Sequence, residues 1–228
     1  MSAFFVTGSG TEIGKTFVTA ALIHELRRRN RPIAALKPVA SGFDPLRPED
    51  SDPGMLLAAL GEPPTRETLD RIAPWRFRAP LSPDMAAARE SRTIDFAALI
   101  EHSRNAIAGA PGTLLIEGVG GVMVPLDERH TVLDWIAALR IPAIVMGGSY
   151  LGAISHALTA LDALRRQDIA IAALVVNEMP QSSVALDETA ATVARFAGGV
   201  PVVTLSRLAH AEQPHPAIER LTELLDRF

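Results

Sequence analysis

Residues 8–16 read Gly-Ser-Gly-Thr-Glu-Ile-Gly-Lys-Thr and follow directly on the apolar run Ala3-Phe4-Phe5-Val6-Thr7. A short buried strand that turns through glycines into a helix near Gly14 builds a phosphate-binding loop. Glycine permits the tight turn, the loop's N–H groups can wrap phosphate oxygens, and the helix start adds its partial positive charge. In such a loop Lys15 reaches the β/γ-phosphates and the Thr16 hydroxyl faces Mg²⁺. Five residues separate Gly8 from Gly14, where the general motif has four.

The rest of the chain suits an α/β fold built around that loop. Short, apolar, nearly unalternated runs are expected as parallel strands at 33–37, 113–117, 143–146, 171–176 and 200–204. Amphipathic runs near 15–29, 95–108, 131–139, 153–167, 185–197 and 215–226 are expected as helices. Strands alternating with helices predict a P-loop NTPase-like three-layer fold, a mostly parallel sheet with helices on both faces. No linker divides the chain, so residues 1–228 are expected to form one domain. Residues 42–94, rich in Pro, Arg, Asp and Glu, are expected as an irregular excursion that covers a site.

Composition narrows the function. The net charge of −4 gives no electrostatic footprint for nucleic acid. The basic run Arg27–Arg31 falls where the first helix should end, and cations there complement the helix dipole. There is no cysteine, so disulfides and thiolate zinc sites are excluded. The apolar stretch 141–154 is broken by glycines and shorter than the roughly 20 residues a membrane helix needs. No targeting segment is evident, and a cytoplasmic location with no membrane partner is expected.

Ligands of parallel sheets sit at the strands' carboxyl ends. The second strand ends in Lys37-Pro38-Val39-Ala40-Ser41-Gly42, where Lys37 can neutralise a phosphoryl group in transfer and Ser41 can bind a polar substrate group. The strand at 113–117 ends in Glu117-Gly118-Val119-Gly120-Gly121, which places a hard-cation ligand beside glycines that admit a substrate. A further acid is expected from Glu49, Asp50 or Asp52, ahead of an apolar helix at 55–60. Asn177 ends another strand with an amide able to read a nucleobase edge. Gly147–His156 is a glycine-rich approach to a helix start, a second anion site, with His156 a helix-start residue rather than a metal ligand.

Taken together, these motifs resemble the dethiobiotin synthase family. The likeness runs through Val6-Thr7-Gly8, Gly10–Thr16, Lys37–Gly42, Ser51-Asp52, Glu117–Gly121 and Leu151-Gly152-Ala153, over about the first 180 residues. The longer loop spacing is that family's own form, and Lys-Pro-Val-x-Ser-Gly is its most specific element. The resemblance implies an ATP-dependent ligase. CO₂ adds to 7,8-diaminopelargonate as a carbamate, which attacks the γ-phosphate of ATP. The second amine then displaces phosphate from the carbamic–phosphoric anhydride, giving dethiobiotin, ADP and phosphate.

The resemblance also implies roles. Thr16, Asp52 and Glu117 would hold Mg²⁺. Thr11, Lys15, Lys37 and Ser41 would surround the carbamate and γ-phosphate. Gly10, Thr11, Glu12, Ile13, Gly14, Lys15 and Thr16 would cradle ATP, with Asn177 reading adenine. Gly120 would line the substrate slot. Gly152, Ala153 and Ser155 of a second subunit would hold the substrate's carboxylate tail, which implies a homodimer, with the apolar run Ile141–Met146 approaching its interface. The family usually has Asn where Ser155 stands, and a Pro-bearing loop where this chain has Leu205-Ser206-Arg207-Leu208.

Three other readings fit less well. A partition-type ATPase carries an extra lysine five residues before the loop lysine, and that position is Gly10. A cobyrinate-type amide ligase brings a cysteine-dependent glutaminase domain. A nucleotide kinase would need Arg66–Arg78 as its lid and has no counterpart of Lys37–Ser41.

Overall fold

The apolar runs pair side by side, as strands covered on both faces must. In the computed structural model, which describes residues 2–180, 182 and 184–228, β1 (Ser2–Gly8) leads through the glycine loop into α1 (Lys15–Arg28) and then β2 (Ile33–Leu36). The excursion holds β3 (Val39–Ser41), a 3-10 turn (Pro48–Asp50), α2 (Asp52–Leu60), α3 (Arg66–Ile72), β4 (Trp75–Phe77) and α4 (Pro83–Arg89). Regular alternation resumes with α5 (Phe96–Gly109), β5 (Thr113–Glu117), α6 (Val132–Leu139), β6 (Ala143–Gly148) and α7 (Ala153–Arg166). β7 (Ile171–Asn177), α8 (Leu186–Phe196), β8 (Val202–Leu205) and α9 (Pro216–Leu225) follow.

Six strands form one parallel sheet in the order β2-β5-β1-β6-β7-β8. This order decides where chemistry can occur. β5 lies between β2 and β1, with Leu36 opposite Ile116 and Val6 opposite Glu117. The residue after β2, Lys37, therefore comes level with Glu117, and both stand beside the loop that leaves β1. Three separate motifs meet at one edge because the strand between them is the fifth in sequence, not the second.

The core is contiguous across the sheet. Phe5 meets Trp135 edge to face at 4.8 Å, and the buried Trp135 Nε1 donates to Ser103 Oγ at 3.1 Å. Ala143–Met146 are fully buried in β6. Ala143–Met146 are apolar because they lie in the middle of the sheet, so their composition needs no subunit interface to explain it. The basic run at the end of α1 is taken up internally. Arg28 and Arg29 pair with the buried Glu25, Arg27 Nη1 donates to Ala59 O, and Arg31 pairs with Asp226. These contacts tie α1 to α2 and α9.

The excursion is more ordered than its composition suggests. β3 and β4 pair in parallel as a two-stranded sheet, Val39 opposite Trp75 and Ser41 opposite Phe77. Arginines cover its aromatic side chains, Arg92 over Phe77 at 4.6 Å and Arg76 over Phe43 at 5.4 Å. Ser41, expected in a turn, is the last residue of β3, and Gly42 makes the turn at φ 73°.

Burial also sets a pH dependence of stability. His102 packs edge to face on Trp75 with its Nε2 buried and unpartnered, and desolvation holds its pKa below the usual 6.5. Its native form is therefore neutral. The associated stability is complete above about pH 6.5 and declines as pH falls below it, because the unfolded chain takes up the proton first. Melting curves between pH 7.5 and 5.5 should show Tm falling on the acid side, and His102→Phe should reduce that fall. An identical acid dependence in the variant would remove His102 from the account.

Candidate active site

The site is a cleft of about 600 Å³ over the carboxyl ends of β1, β2 and β5. Its walls include Thr11, Gly14, Lys15, Thr16, Ser41 and Gly120. At its base, Lys37 Nζ donates to Glu117 Oε1 at 2.7 Å and to Gly118 O at 2.7 Å, and lies 3.1 Å from Asp52 Oδ2. Thr16 Oγ1 donates to the same Glu117 Oε1 at 2.7 Å. Lys15 Nζ donates to Gly10 O at 2.9 Å, curling back over its own loop. These are the only two lysines of the chain, although it has 22 Lys and Arg residues in all. A compact ammonium suits a crowded oxygen cluster better than a guanidinium fork.

Burial and charge pull these groups in different directions. Burial lowers the Lys15 pKa to about 8, with Lys37 adding to the fall and Glu117 and Asp52 opposing it. Lys37 is also buried, which alone would lower its pKa, but Glu117 and Asp52 outweigh burial and hold it above the ordinary value. Burial opposes ionisation of Asp52, yet Lys37, with help from Thr16 and Lys15, keeps it below the usual carboxylate range. The cluster is thus two ammoniums against two carboxylates, close to neutral as a whole.

Local sequence explains how each group is held. Gly14 takes φ 89° at the start of α1, and a Cβ there would lie 2.5 Å from Asn177 Nδ2. Glu12 also adopts the left-handed region, at φ 56°, on the exposed tip of the loop. Gly121 lets two backbones meet: its Cβ would lie 3.3 Å from Gly8 O, Ser9 C and Gly10 N, and Val122 N donates to Gly8 O at 2.9 Å. Asp52 opens α2, whose start is capped by Ser51 Oγ accepting from Gly54 N at 3.2 Å.

Most of the expected residues converge. Thr11, Glu12, Gly14, Lys15, Thr16, Lys37, Ser41, Asp52 and Gly120 all line the cleft. Of the three acids left open, Asp52 is the one at the cleft; Asp50 pairs with Arg47 outside it. Gly10 contributes its carbonyl, while Ile13 turns its side chain into the core. Asn177 ends β7 and donates to Ile13 O at 3.2 Å, bracing the loop from behind. Gly152, Ala153 and Ser155 lie at the start of α7, apart from this cleft. There Ala153 N donates to Tyr150 O, His156 Nδ1 meets the Tyr150 hydroxyl at 2.9 Å, and Ser155 is exposed.

Sequence reasoning missed the far wall of the cleft, Pro80-Leu81-Ser82-Pro83 together with Val119 and Val124. It also missed Gly54, whose Cβ would lie 2.0 Å from Pro48 O, so that only glycine lets α2 sit against the preceding 3-10 turn. The run Ser51-Asp52-Pro53-Gly54, a cap followed by proline in the first turn, was the available signal.

Comparison with known proteins agrees with this geometry. A family model described as AAA domain matches residues 2–213. The ATP-dependent dethiobiotin synthetase of Acidiphilium cryptum is 52% identical over 88% of this chain and 91% of its own length. That of Methylobacterium nodulans is 51% identical over 91% and 94%. Among solved structures, the septum site-determining protein MinD complexed with Mg-ADP from Pyrococcus horikoshii superposes with a TM-score of 0.61, covering 99% of this chain and 95% of that one at 14% identity. The hydrogenase maturation factor HypB from Archaeoglobus fulgidus gives 0.56, over 99% and 90% at 13% identity. At such identities those structures show a shared fold alone. The identities of about 50% to full-length relatives go further: this chain belongs to the ATP-dependent dethiobiotin synthetase family.

Proposed function

We propose that this protein uses ATP and Mg²⁺ to carboxylate 7,8-diaminopelargonate with CO₂ and close the ring to dethiobiotin. The observation that carries this reading is the meeting of Lys15, Thr16, Lys37, Ser41, Asp52 and Gly120 in one cleft, with the buried Glu117 beneath it bonded to both Lys37 and Thr16. The attacking carbamate and the γ-phosphate are both anionic, so their approach needs cations. Lys15 reaches over the loop to the β/γ-phosphates. Lys37 meets the charge that develops on the transferring phosphoryl group. Ser41, at the end of β3, holds a polar group of the diamine against the glycine-lined wall at Gly120. The two amines are adjacent, so ring closure is intramolecular and positioning supplies much of the rest. Asn177, level with the back of the loop, reads the adenine edge.

Mg²⁺ suits the donor set. Glu117 Oε2 is buried beneath the cleft with no hydrogen-bond partner, an orphaned oxygen that a cation would satisfy. No group of three or more His, Cys, Asp or Glu converges among the described residues. Two carboxylates and a hydroxyl completed by phosphate oxygens are what Mg²⁺ takes in nucleotide sites. The lysines are already balanced by Asp52 and Glu117, so the triphosphate's charge calls for a further cation. When bound, Mg²⁺ would polarise and neutralise phosphoryl oxygens, with Thr16, Asp52 and Glu117 as its protein ligands.

ADP release should require the diamine and bicarbonate together, read in a coupled assay. Brisk ATP turnover without the diamine, stimulated instead by DNA or a protein, would favour the partition-ATPase reading. A kinase lid finds no support: no arginine lines the cleft, and Arg66, Arg71 and Arg76 pair with Asp70 and Glu62.

The working unit in this reading is a homodimer in the cytoplasm, with the start of α7 serving the partner's cleft. No helix among the described residues is long and apolar enough to cross a membrane. Leu151 is 87% exposed beside that helix start, so an apolar side chain is available there to a partner subunit. Ala153 N is already engaged by Tyr150 O, so the amides of Ile154 and Ser155 remain to hold the substrate carboxylate. Ser155→Asn should lower KM for the diamine about fivefold, the effect of roughly one added hydrogen bond, and leave KM for ATP unchanged. A fully active monomer in sedimentation would refute the shared site.

A further inference from the structure

We propose that Lys37 and the divalent cation contend for one set of oxygens, so that the lysine gates metal entry. This rests on the reading above that Thr16, Asp52 and Glu117 hold the cation. An ammonium has three N–H donors. Those of Lys37 face Glu117 Oε1 at 2.7 Å, Gly118 O at 2.7 Å and Asp52 Oδ2 at 3.1 Å. Both carboxylates that a dication would use are therefore engaged by a cation that the protein itself supplies. The third ligand, the Thr16 hydroxyl, donates to the same Glu117 Oε1.

A dication among these oxygens would lie within a few ångströms of the Lys37 ammonium, in a site with little water to screen their repulsion. Lys37 is 2% exposed and cannot escape to solvent. It can leave the carboxylates only if another anion accepts it inside the cleft. The γ end of a triphosphate held by the Gly8–Thr16 loop is such an anion. Metal and nucleotide then enter as a coupled pair, and the same movement aims Lys37 at the phosphoryl group. Glu117 Oε2, buried and unpartnered, is an oxygen that Lys37 does not hold and that the cation reaches once the ammonium has moved.

The test uses Mn²⁺ alone, titrated by EPR into the nucleotide-free protein. Lys37→Met should bind Mn²⁺ at least about tenfold more tightly than the unmodified chain, because a competing charge has gone. Equal or weaker binding would overturn the gate. Should Lys37→Met fail to fold, the unmodified protein decides. With only two lysines, ¹⁵N-lysine labelling yields two side-chain signals. Saturating Mg²⁺ together with a non-hydrolysable ATP analogue must then shift the Lys37 ammonium signal, whereas Mg²⁺ alone must not. A signal unmoved by the pair, or moved equally by Mg²⁺ alone, overturns the proposal. If Asp52→Asn and Glu117→Gln leave Mn²⁺ affinity unchanged, the metal assignment itself fails and the gate falls with it. Weakened binding in those two variants upholds the assignment, so failure of the gate alone remains distinguishable.

Discussion

Replacing Lys37 with Ala is expected to lower kcat by about 10²–10³ while KM for ATP changes little, the usual consequence of losing one transition-state contact in a dry site. Lys37 stands at the base of the cleft, level with Glu117, rather than on the phosphate loop. In the proposed reading it matters most when charge shifts between carbamate and γ-phosphate, because any contact it gains with the docked nucleotide is offset by the carboxylate contacts it gives up. The substitution also has a structural consequence. Glu117 is fully buried, and it would lose its only lysine partner. Breaking a buried pair in this way can cost about 3–5 kcal/mol. The double variant Lys37→Met with Glu117→Gln isolates the structural effect, since it removes the unpaired buried charge without restoring an ammonium, and stability should recover in it. The kinetic role of Lys37 is read from the single variant, because Glu117 is also a metal ligand in the proposed reading. If kcat were unchanged in Lys37→Ala and only KM for ATP rose, Lys37 would be a nucleotide anchor and nothing more.

Asp52→Asn is expected to raise the Mg²⁺ concentration needed for half-maximal activity by about 10–100-fold, a range typical when support for a bound metal is weakened. Asp50→Asn should leave it unchanged. The two residues are nearly equivalent in the sequence, two acids in the same polar stretch ahead of α2. They differ in what they face. Asp52 opens α2 at the cleft, 3.1 Å from Lys37, whereas Asp50 closes the preceding 3-10 turn beside Arg47. A Mg²⁺ titration of both variants is the check, and a larger requirement in Asp50→Asn would reassign the ligand. Asp52 is half exposed even though it ends in the cluster. Its removal should therefore disturb folding far less than removal of Glu117.

Much of this was legible from residues alone, and the particular successes have particular causes. The loop at 8–16 declares itself because its glycines, Gly14 above all at φ 89°, permit the tight turn, and because a lysine and a hydroxyl follow at once. The central strands were readable because parallel strands buried on both faces need unbroken apolar runs. The excursion was not readable in the same way. β3 and β4 are three residues each, too short for any periodicity, and α3 and α4 are seven residues in a stretch dominated by Pro and Arg. Pro80–Pro83 gave no chemical signal, because their role is to present a surface.

What the chain determines by itself is therefore the chemistry it carries: a phosphate loop, a strand-end lysine, a strand-end glutamate and a set of nearby acids. Local backbone geometry and residue type suffice for those, since each depends on neighbours a few positions away. What only the tertiary structure decided is their company. The order β2-β5-β1 inserts Glu117 between Lys37 and the loop, and the close approach at Gly54 brings Asp52 rather than Asp50 to the same ammonium. These contacts span up to 101 positions of chain, as between Thr16 and Glu117. Nothing local encodes such a distance; it follows from which strands pair once the whole apolar core is buried together.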